Sequence, residues 1–149
     1  MELWRVSIFA DLSGVGGLLA EGRWHSQGQL VVYLADHPST ALLERLVHVD
    51  PDILPLTYQL LRIRSSSTIE EDSVKVSDLP VDWRRQVDAT QQIGDAWLGR
   101  AATAVLRVPS ALVPHAANVL LNPSHRDAGT LSIAETIVTP FDPRFWKLR

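Results

Sequence analysis

The first residue of this chain that could bind an anion is an arginine next to a glycine-rich segment. Arg23 stands in Gly22-Arg23-Trp24-His25, and five of the 8 glycines fall between residues 11 and 28. Glycine lets the backbone approach a ligand closely, and a fixed guanidinium can fork onto a pyrophosphate. The alternatives are a flexible loop and a surface arginine that stacks on Trp24. Neither G-x-G-x-x-G nor G-K-[ST] occurs, so neither standard nucleotide-binding loop is supported.

Tyr33 and Glu44 are further candidates, because each is a polar-capable group within an apolar segment. Tyr33 lies in the run L-V-V-Y-L-A. It is predicted to be either an aromatic platform for a planar ring or a core tyrosine whose hydroxyl is hydrogen-bonded. Glu44 interrupts A-L-L-E-R-L-V-H-V on a helical face away from the apolar stripe. It is either a functional carboxylate or a solvated one. Ser13 and Ser110 could donate or accept hydrogen bonds, but no G-x-S-x-G elbow marks either as a nucleophile.

Composition excludes several other kinds of chemistry. The chain has no cysteine, which excludes disulfides, thiolate metal sites and a cysteine nucleophile. Its 5 histidines form no H-E-x-x-H or similar pair, so no metal site is expected. The net charge of −3 lacks the basic excess of a domain that grips nucleic acid or an anionic membrane.

The elements that position these groups follow from apolar periodicity. The chain of 149 residues predicts one domain over residues 1–149. Strands are predicted at 3–9, 29–35, 56–64, 74–76, 104–108, 117–121 and 136–139, and helices at 41–49 and 82–103. We expect an α+β domain of about seven strands. A cytoplasmic location is expected, because no signal-peptide pattern and no membrane-length apolar run occurs.

Apolar stripes predict which faces of the two helices pack. The predicted stripes are Leu42, Leu43, Leu46 and Val49 on the first helix, and Ile93, Trp97 and Ala101 on the second. Near the C-terminus, Phe141, Phe145 and Trp146 predict either a contact with a partner or second copy, or a packed terminus.

Short motifs in a fixed order give the chain a resemblance to a known family. They are W-R-V-S at 4–7, L-S-G at 12–14, G-R-W at 22–24, V-V-Y at 31–33, A-L-L-E at 41–44, H-V-D at 48–50, V-P-S at 108–110, N-V-L-L-N-P at 118–123 and H at 125. This ordered set resembles the RES-domain family, named for Arg, Glu and Ser, which is the toxin half of bacterial RES–Xre toxin–antitoxin pairs. The resemblance covers nearly the whole chain.

The resemblance implies a fold and an activity. The fold would be similar to ADP-ribosyltransferase toxins such as diphtheria toxin, with a split, NAD-binding β-sheet and flanking helices. The activity would be that of an NAD glycohydrolase or NAD phosphorylase, which cleaves the nicotinamide–ribose bond by hydrolysis or phosphorolysis. NAD would be the substrate, with no other cofactor and with inorganic phosphate as a candidate co-substrate. The alternatives are an ADP-ribosyltransferase that modifies a cellular protein and a catalytically inactive antitoxin-binding module.

The resemblance also implies partners. An Xre-type antitoxin would neutralise the toxin and cover its active site, in a complex that is a homodimer or a hetero-oligomer with the antitoxin. Any binding to DNA would be done by the Xre partner, since the acidic chain shows no recognition helix with clustered Arg or Lys. No membrane contact is expected.

The resemblance carries functional roles onto particular residues. The motif Arg, Tyr, Glu and Ser correspond to Arg23, Tyr33, Glu44 and Ser110, of which the first three would be catalytic. The NAD-binding set would be Arg5, Ser13, Gly14, Arg23, Tyr33 and Ser110. The arginines match the charge of the diphosphate, Tyr33 would receive a flat ring, and Ser110 would orient the nicotinamide end. Glu44 would stabilise the positive charge of an oxocarbenium-like transition state.

Two residues depart from the family's usual pattern beside the motif arginine. The family commonly reads G-G-R-W-N, whereas this chain reads Glu21-Gly22-Arg23-Trp24-His25. The Glu21 carboxylate is expected to point away, because it would otherwise weaken binding of a diphosphate. His25 replaces an asparagine and therefore the hydrogen bonds that an asparagine would make.

Overall fold

Seven strands and three α-helices make up the part of the chain that the computed structural model describes, which is residues 1–50, 52–53 and 55–148. In chain order they are β1 (Glu2–Val6), α1 (Gly16–Leu19), β2 (Val32–Ala35), α2 (Pro38–Leu46), β3 (Thr57–Ser65), β4 (Glu71–Ser73), α3 (Val87–Arg100), β5 (Val105–Pro109), β6 (Ala117–Leu121) and β7 (Leu131–Pro140). Short 3-10 turns lie at Val76–Asp78, Ala128–Thr130 and Pro143–Leu148. No helix in these described ranges is long and apolar enough to cross a membrane.

The β-sheet is divided at its middle. Its strand order is β4-β5-β6-β2-β1-β3-β7, and neighbouring strands are antiparallel except β4 and β5. β1 and β2 are joined by the single residue pair Trp4–Ala35, whereas every other junction contains at least three pairs. The halves β4-β5-β6-β2 and β1-β3-β7 therefore diverge beyond this pair. The predicted α+β class with a split sheet is confirmed.

Two apolar clusters cover the two faces of the sheet. Successive side chains of a strand point to opposite faces, so Val32 and Leu34 face one side while Tyr33 and Ala35 face the other. The first cluster contains Leu3, Val32, Leu34, Leu61, Ile63, Ala104, Val105, Val119, Leu121 and Leu131. The second contains Trp24, Val31, Leu79, Trp83, Trp97, Leu106, Val108 and Leu120, with Tyr33 packed against it. The tryptophan-rich side is therefore the side on which Tyr33 lies.

Helix α2 begins earlier than predicted, and the predicted apolar stripe is only partly confirmed, since Leu46 and Val49 are buried. His37 caps the helix, because its Nδ1 accepts a hydrogen bond from the backbone N–H of Ser39, and Pro38 follows in the first turn. Thr40 and Ala41 are buried together with Leu46, whereas Leu43 is 40% exposed. The prediction that Leu43 faces the core is wrong. The helix rotates its small residues inward, which lets it lie close to β1 and β2.

Helix α3 also differs from its predicted stripe. It covers Val87–Arg100, and its buried residues are Thr90, Gly94 and Trp97. Ala101 caps the helix in the left-handed conformation with φ 47° and is exposed, so its assignment to the apolar stripe is wrong. At the other end of the chain, Phe141 is buried and its ring centre lies 4.7 Å from that of Tyr58. This contact agrees with a packed terminus.

Candidate active site

The half-buried Tyr33 and the buried His25 form a hydrogen-bonded pair on the tryptophan-rich side of the sheet. The Tyr33 hydroxyl accepts a hydrogen bond from the Trp24 backbone N–H at 3.0 Å and lies 2.9 Å from His25 Nδ1. His25 Nε2 lies 3.0 Å from the Ala20 carbonyl, which can only accept, so this nitrogen carries the proton. The Tyr33 hydroxyl then donates to Nδ1. Its hydrogen bonds are filled within the protein, and the face of its ring is the part left for a ligand.

Burial raises the pKa of the Tyr33 hydroxyl well above its ordinary value. The Trp24 N–H opposes this shift, as does the charge of Arg23, while the charges of Asp95 and Glu44 reinforce it. The pKa of Tyr33 therefore responds to Arg23 and Glu44, two of the residues that the family motif assigns to the site. Tyr33 therefore stays neutral near neutral pH, and its role as a surface for a ligand ring stays a prediction.

We expect Tyr33 to stay protonated in the folded protein above pH ~10, the ordinary value for tyrosine. The chain has 2 tyrosines, so the Tyr58→Phe variant isolates Tyr33 for titration by tyrosinate absorbance. The unfolded chain releases this proton near pH ~10 and the folded chain does not, so stability against urea should fall as the pH rises above that value. A tyrosinate signal with a midpoint near pH ~10, from protein that circular dichroism shows to be folded, would contradict this environment.

Glu44 is held by two side chains that come from the end of β5 and the start of β6. One carboxylate oxygen, Oε1, accepts hydrogen bonds from the Ser110 hydroxyl at 3.1 Å and from Asn118 Nδ2 at 2.7 Å. Ser110 is 2% exposed and Asn118 is 9% exposed, so both donors are rigidly placed. Glu44 is itself half-buried, which rules out the alternative of a fully solvated carboxylate. These contacts join α2 to the end of β5 and the start of β6.

The two carboxylate oxygens of Glu44 differ in their hydrogen bonding. Among residues 1–50, 52–53 and 55–148, no side chain or backbone group donates a hydrogen bond to Glu44 Oε2. Ser110 is occupied differently, because its oxygen also accepts from the backbone N–H groups of Leu112 and Val113 at 3.1 and 3.2 Å. Glu44 thus presents one oriented, unpaired oxygen, and Ser110 acts on it as a positioning residue.

Arg23 packs against Trp83 and not against its neighbour Trp24. Its guanidinium carbon lies 5.9 Å from the centre of the Trp83 ring, and its Nη1 donates to the Arg84 carbonyl at 3.0 Å. Trp24 is 1% exposed and belongs to the core. The alternative of an arginine stacked on Trp24 is therefore wrong. The backbone of Arg23 is fixed as well, since its carbonyl accepts from the Thr90 hydroxyl of α3 at 2.5 Å.

Sheet register and loop contacts bring four of the predicted residues together. Tyr33 and Asn118 lie on the same face of adjacent strands, because Tyr33 pairs with Leu120 and Ala35 with Asn118. Asn118 in turn contacts Glu44, which contacts Ser110. The peptide N–H after Arg23 bonds to Tyr33. The set that the structure groups on this face is Arg23, Tyr33, Glu44 and Ser110.

Arg5, Ser13 and Gly14 form a separate group of contacts. Arg5 shares the face of β1 with Leu3 of the first cluster, and its Nη1 donates to the Asp11 carbonyl at 2.8 Å. Burial lowers the pKa of Arg5, against the attraction of Asp11. The Asp11 carboxylate accepts from both the backbone N–H and the hydroxyl of Ser13. Hydrogen bonds from Ser13 accordingly hold the pKa of Asp11 below its usual range.

Gly14 has a structural requirement of its own in that group. Its φ is +73°, and a Cβ there would lie 2.7 Å from the Val31 backbone nitrogen. The glycine therefore lets the loop cross the start of β2. Direct contact of Arg5, Ser13 or Gly14 with NAD stays a prediction.

The two departures from the family pattern have clear structural places. Glu21 is exposed, and Gln91 Nε2 of α3 lies 3.2 Å from its carboxylate, away from the contacts of Arg23. His25 supports Tyr33 and bonds to Ala20 at the end of α1. A histidine therefore makes, on both ring nitrogens, the bonds that keep Tyr33 and this loop in place.

Sequence reasoning missed Asn118 and the support from α3. Asn118 belongs to the motif N-V-L-L-N-P and shares a strand face with the buried Leu120, which could have identified it as a site residue. A polar side chain on a buried face needs a hydrogen-bond partner, and here that partner is the half-buried Glu44. No three His, Asp or Glu side chains in the described part of the chain are grouped so as to hold a metal ion.

Comparisons with known proteins agree with this arrangement of residues. The RES domain model matches residues 2–143. A protein of Pseudomonas putida described as Toxin Res is 42% identical over 142 residues, which cover 94% of this chain and 97% of that protein. A protein of Sphingobium sp. described as a Prs ADP-ribosylating toxin is 33% identical over 153 residues, covering 96% of this chain and 95% of that one.

A solved structure supports the fold. The crystal structure of the Mycobacterium tuberculosis MbcT–MbcA toxin–antitoxin complex contains a chain that superposes with a TM-score of 0.71 at 16% identity. The match covers 99% of this chain and 87% of that chain. At this identity the likeness concerns the fold alone, and it agrees with the mixed, split sheet.

Proposed function

Because the chain belongs to the RES-domain family, we propose that it is the toxin of a bacterial toxin–antitoxin pair and destroys NAD in the cytoplasm by cleaving the nicotinamide–ribose bond. The observation that carries this proposal is the Glu44 carboxylate, whose Oε1 is fixed by Ser110 and Asn118 while Oε2 has no partner in the described residues. The match to the RES domain over residues 2–143 and the toxin names of the relatives support it.

The chemistry needs a negative group beside the ribose. Nicotinamide leaves with the electron pair of the C–N bond, so positive charge develops on the ribose ring in an oxocarbenium-like transition state. An oriented carboxylate stabilises that charge more than it stabilises the ground state, which lowers the barrier. Glu44 Oε2 can accept a hydrogen bond from a ribose hydroxyl or face the developing charge directly. Water or phosphate then attacks the sugar carbon, and the attacking group loses a proton to solvent.

The remaining residues bind the rest of the substrate in this proposal. Arg23 contacts the diphosphate, since no carboxylate of the described chain pairs with its guanidinium. Tyr33 receives the planar ring on its free face. Ser110 holds Glu44, and it reaches the nicotinamide end only if its hydroxyl releases that carboxylate. Arg5, Ser13 and Gly14 are proposed as further NAD contacts from the β1 side of the split.

The acceptor is tested by the sugar product. Purified protein incubated with NAD should release nicotinamide, and the products are followed by chromatography with mass detection in buffers with and without inorganic phosphate. Hydrolysis gives ADP-ribose in both buffers, whereas phosphorolysis gives ADP-ribose 1″-phosphate and requires phosphate. NAD that stays intact in both buffers would contradict the proposal as a whole.

One observation favours a second candidate, the ADP-ribosylation of a cellular protein. The Sphingobium relative, whose name gives it that activity, is 33% identical over nearly the full length of this chain. The same oxocarbenium-like species would then be attacked by a protein nucleophile. Labelled NAD added to a bacterial extract separates the two, because transfer leaves the label on a protein band and cleavage leaves it on a small molecule.

We further propose that an Xre-type antitoxin binds this chain and blocks the site. The support is the toxin–antitoxin complex of MbcT and MbcA, together with the family membership. With a net charge of −3, the chain itself is a poor candidate for DNA binding, which leaves that role to the antitoxin. Whether the complex is built on a homodimer or as another hetero-oligomer follows from its measured mass.

A further inference from the structure

A second guanidinium approaches the same tryptophan ring as Arg23, although the family motif assigns it no role. Arg84 is exposed, and its guanidinium carbon lies 4.8 Å from the centre of the same Trp83 ring that Arg23 approaches at 5.9 Å. Trp83 is 1% exposed, so the ring is a fixed support for both cations. Contact with an aromatic ring attracts a guanidinium without neutralising its charge.

Backbone carbonyls link Arg84 to both parts of the candidate site. The Arg84 carbonyl accepts from Arg23 Nη1 at 3.0 Å. The Arg84 side chain donates from Nε to the Ala111 carbonyl at 3.2 Å, and Ala111 directly follows Ser110, which bonds to Glu44. Arg84 therefore lies between the residue proposed for the diphosphate and the residue that positions the carboxylate.

Neither guanidinium is compensated by an acidic group. Arg62, Arg64, Arg107 and Arg144 all pair with carboxylates at 2.9 Å or less, whereas no carboxylate in the described ranges lies within 4.0 Å of Arg23 or Arg84. The carboxylate closest along the chain to Arg84, that of Asp82, accepts from Gln86, and the one closest to Arg23, that of Glu21, accepts from Gln91. Each cation uses one of its N–H groups on a carbonyl, which leaves both terminal nitrogens of Arg84 and two nitrogens of Arg23 as donors.

We propose that Arg84 and Arg23 together form a two-guanidinium site for a phosphoryl anion, with Arg84 as a further substrate-binding residue. Both guanidinium carbons lie within 5.9 Å of the centre of one ring, and an anion that accepts from both would compensate two like charges at once. The proposal rests on the proposed function, because that function supplies the ligand.

Two sources could supply this phosphoryl group, namely the diphosphate of the bound dinucleotide and free inorganic phosphate. They are distinguished by titrating ADP, adenosine and inorganic phosphate in a calorimeter into the Glu44→Gln protein, which retains both arginines and should not consume substrate. The same titrations are made with Arg84→Gln and Arg85→Gln on that background. Arg85 is the matched control, because it is the next residue in the chain, is exposed, and its side chain makes no hydrogen bond or ion pair with the described residues.

A diphosphate site predicts that Arg84→Gln weakens ADP binding by about 10- to 100-fold, the effect of losing charge-assisted hydrogen bonds. Arg85→Gln should change it less than about twofold, because an exposed and unpaired charge contributes little. Adenosine binding should not change in either variant, and the dependence of ADP affinity on salt should be weaker for Arg84→Gln alone. If inorganic phosphate binding is lost in Arg84→Gln while ADP binding is kept, the source is free phosphate.

Three results separate failure of this inference from failure of the proposed function. Equal ADP and phosphate affinities in the Arg84→Gln and Arg85→Gln proteins would overturn the role of Arg84 and leave NAD cleavage intact. A parent protein that binds neither ADP nor phosphate would overturn the two-guanidinium site, while the proposed function is decided separately by nicotinamide release from NAD. If Arg84 only held Ala111 in place, Arg84→Gln would weaken adenosine binding as much as ADP binding. A positive charge restored at this position would then not restore ADP binding. Arg84→Lys, which restores the charge but not the fork, should recover part of the ADP affinity and thus excludes that reading.

Discussion

Replacing Glu44 with glutamine should reduce NAD consumption by ~10²- to 10³-fold or more, while the protein remains folded. Glutamine keeps the length of the side chain, and its amide oxygen can still accept from Ser110 and Asn118, which hold Oε1 at 3.1 and 2.7 Å. What it loses is the negative charge at Oε2, which no described residue uses. The variant therefore removes the proposed transition-state interaction and retains the contacts that place the side chain.

The kinetic pattern of this variant is as informative as its rate. An interaction made only in the transition state lowers kcat and kcat/KM together, with little change in KM. NAD loss is measured by nicotinamide release, and folding by circular dichroism and thermal unfolding. Glu21→Gln is the matched control, because Glu21 is an exposed carboxylate directed at Gln91, and it should retain full activity. Turnover by Glu44→Gln at the rate of the unmodified protein would refute the assignment of Glu44.

The family motif predicts that Glu44 belongs to the site, whereas the apolar pattern of its helix does not. The leucines of α2 predict that Glu44 points to solvent, whereas Thr40 and Ala41 are buried together with Leu46. Periodicity assigns the buried face to the largest apolar residues, and this helix buries two small residues beside one leucine. The interior donors Ser110 and Asn118 then make the half-buried position of the carboxylate favourable.

Interior strands were located more accurately than strands at the edges of the sheet. β6 matches its predicted range of 117–121, and the central β2 occupies Val32–Ala35, the second half of the predicted 29–35. β7 covers Leu131–Pro140 although only 136–139 was predicted, because it is an edge strand paired on one side with β3 and carries polar residues along much of its length. β4 is the other edge and lies at Glu71–Ser73, before the predicted 74–76. Partner strands far along the chain stabilise such segments, and a local pattern does not show them.

The contact between α3 and the loop that contains Arg23 could not be predicted from the sequence. Disrupting this contact is expected to have the largest effect on stability. Gly94 is buried in the middle of α3, where a Cβ would lie 1.7 Å from the Trp24 carbonyl oxygen and 2.7 Å from its carbon. Both atoms belong to backbone, so no side-chain rotation relieves the overlap. The helix and the loop 23–25 touch at this glycine, which places the carbonyl of Arg23 against Thr90.

Gly94→Ala should therefore lower the free energy of unfolding by about 3 kcal/mol or more, the upper range for overpacking in a core. For a domain of this size each kcal/mol corresponds to a shift in Tm of roughly 2–4 °C, so Tm should fall by about 6–12 °C. Activity should fall as well, because the loop that must move carries Arg23 and His25. Thermal and urea unfolding followed by circular dichroism measure the first effect, and nicotinamide release measures the second.

Gly99 provides the control for this prediction within the same helix. A Cβ at Gly99 meets no atom within 4 Å and the residue is exposed, so alanine there adds only helix propensity. Gly99→Ala should raise the free energy of unfolding by up to ~1 kcal/mol, because it reduces the freedom of the unfolded chain and favours the helix. The same substitution, five positions apart in one helix, is thus expected to act with opposite signs. Equal effects of the two variants would mean that α3 does not pack on Trp24 through Gly94, and the support that this helix gives to Arg23 would have to be abandoned.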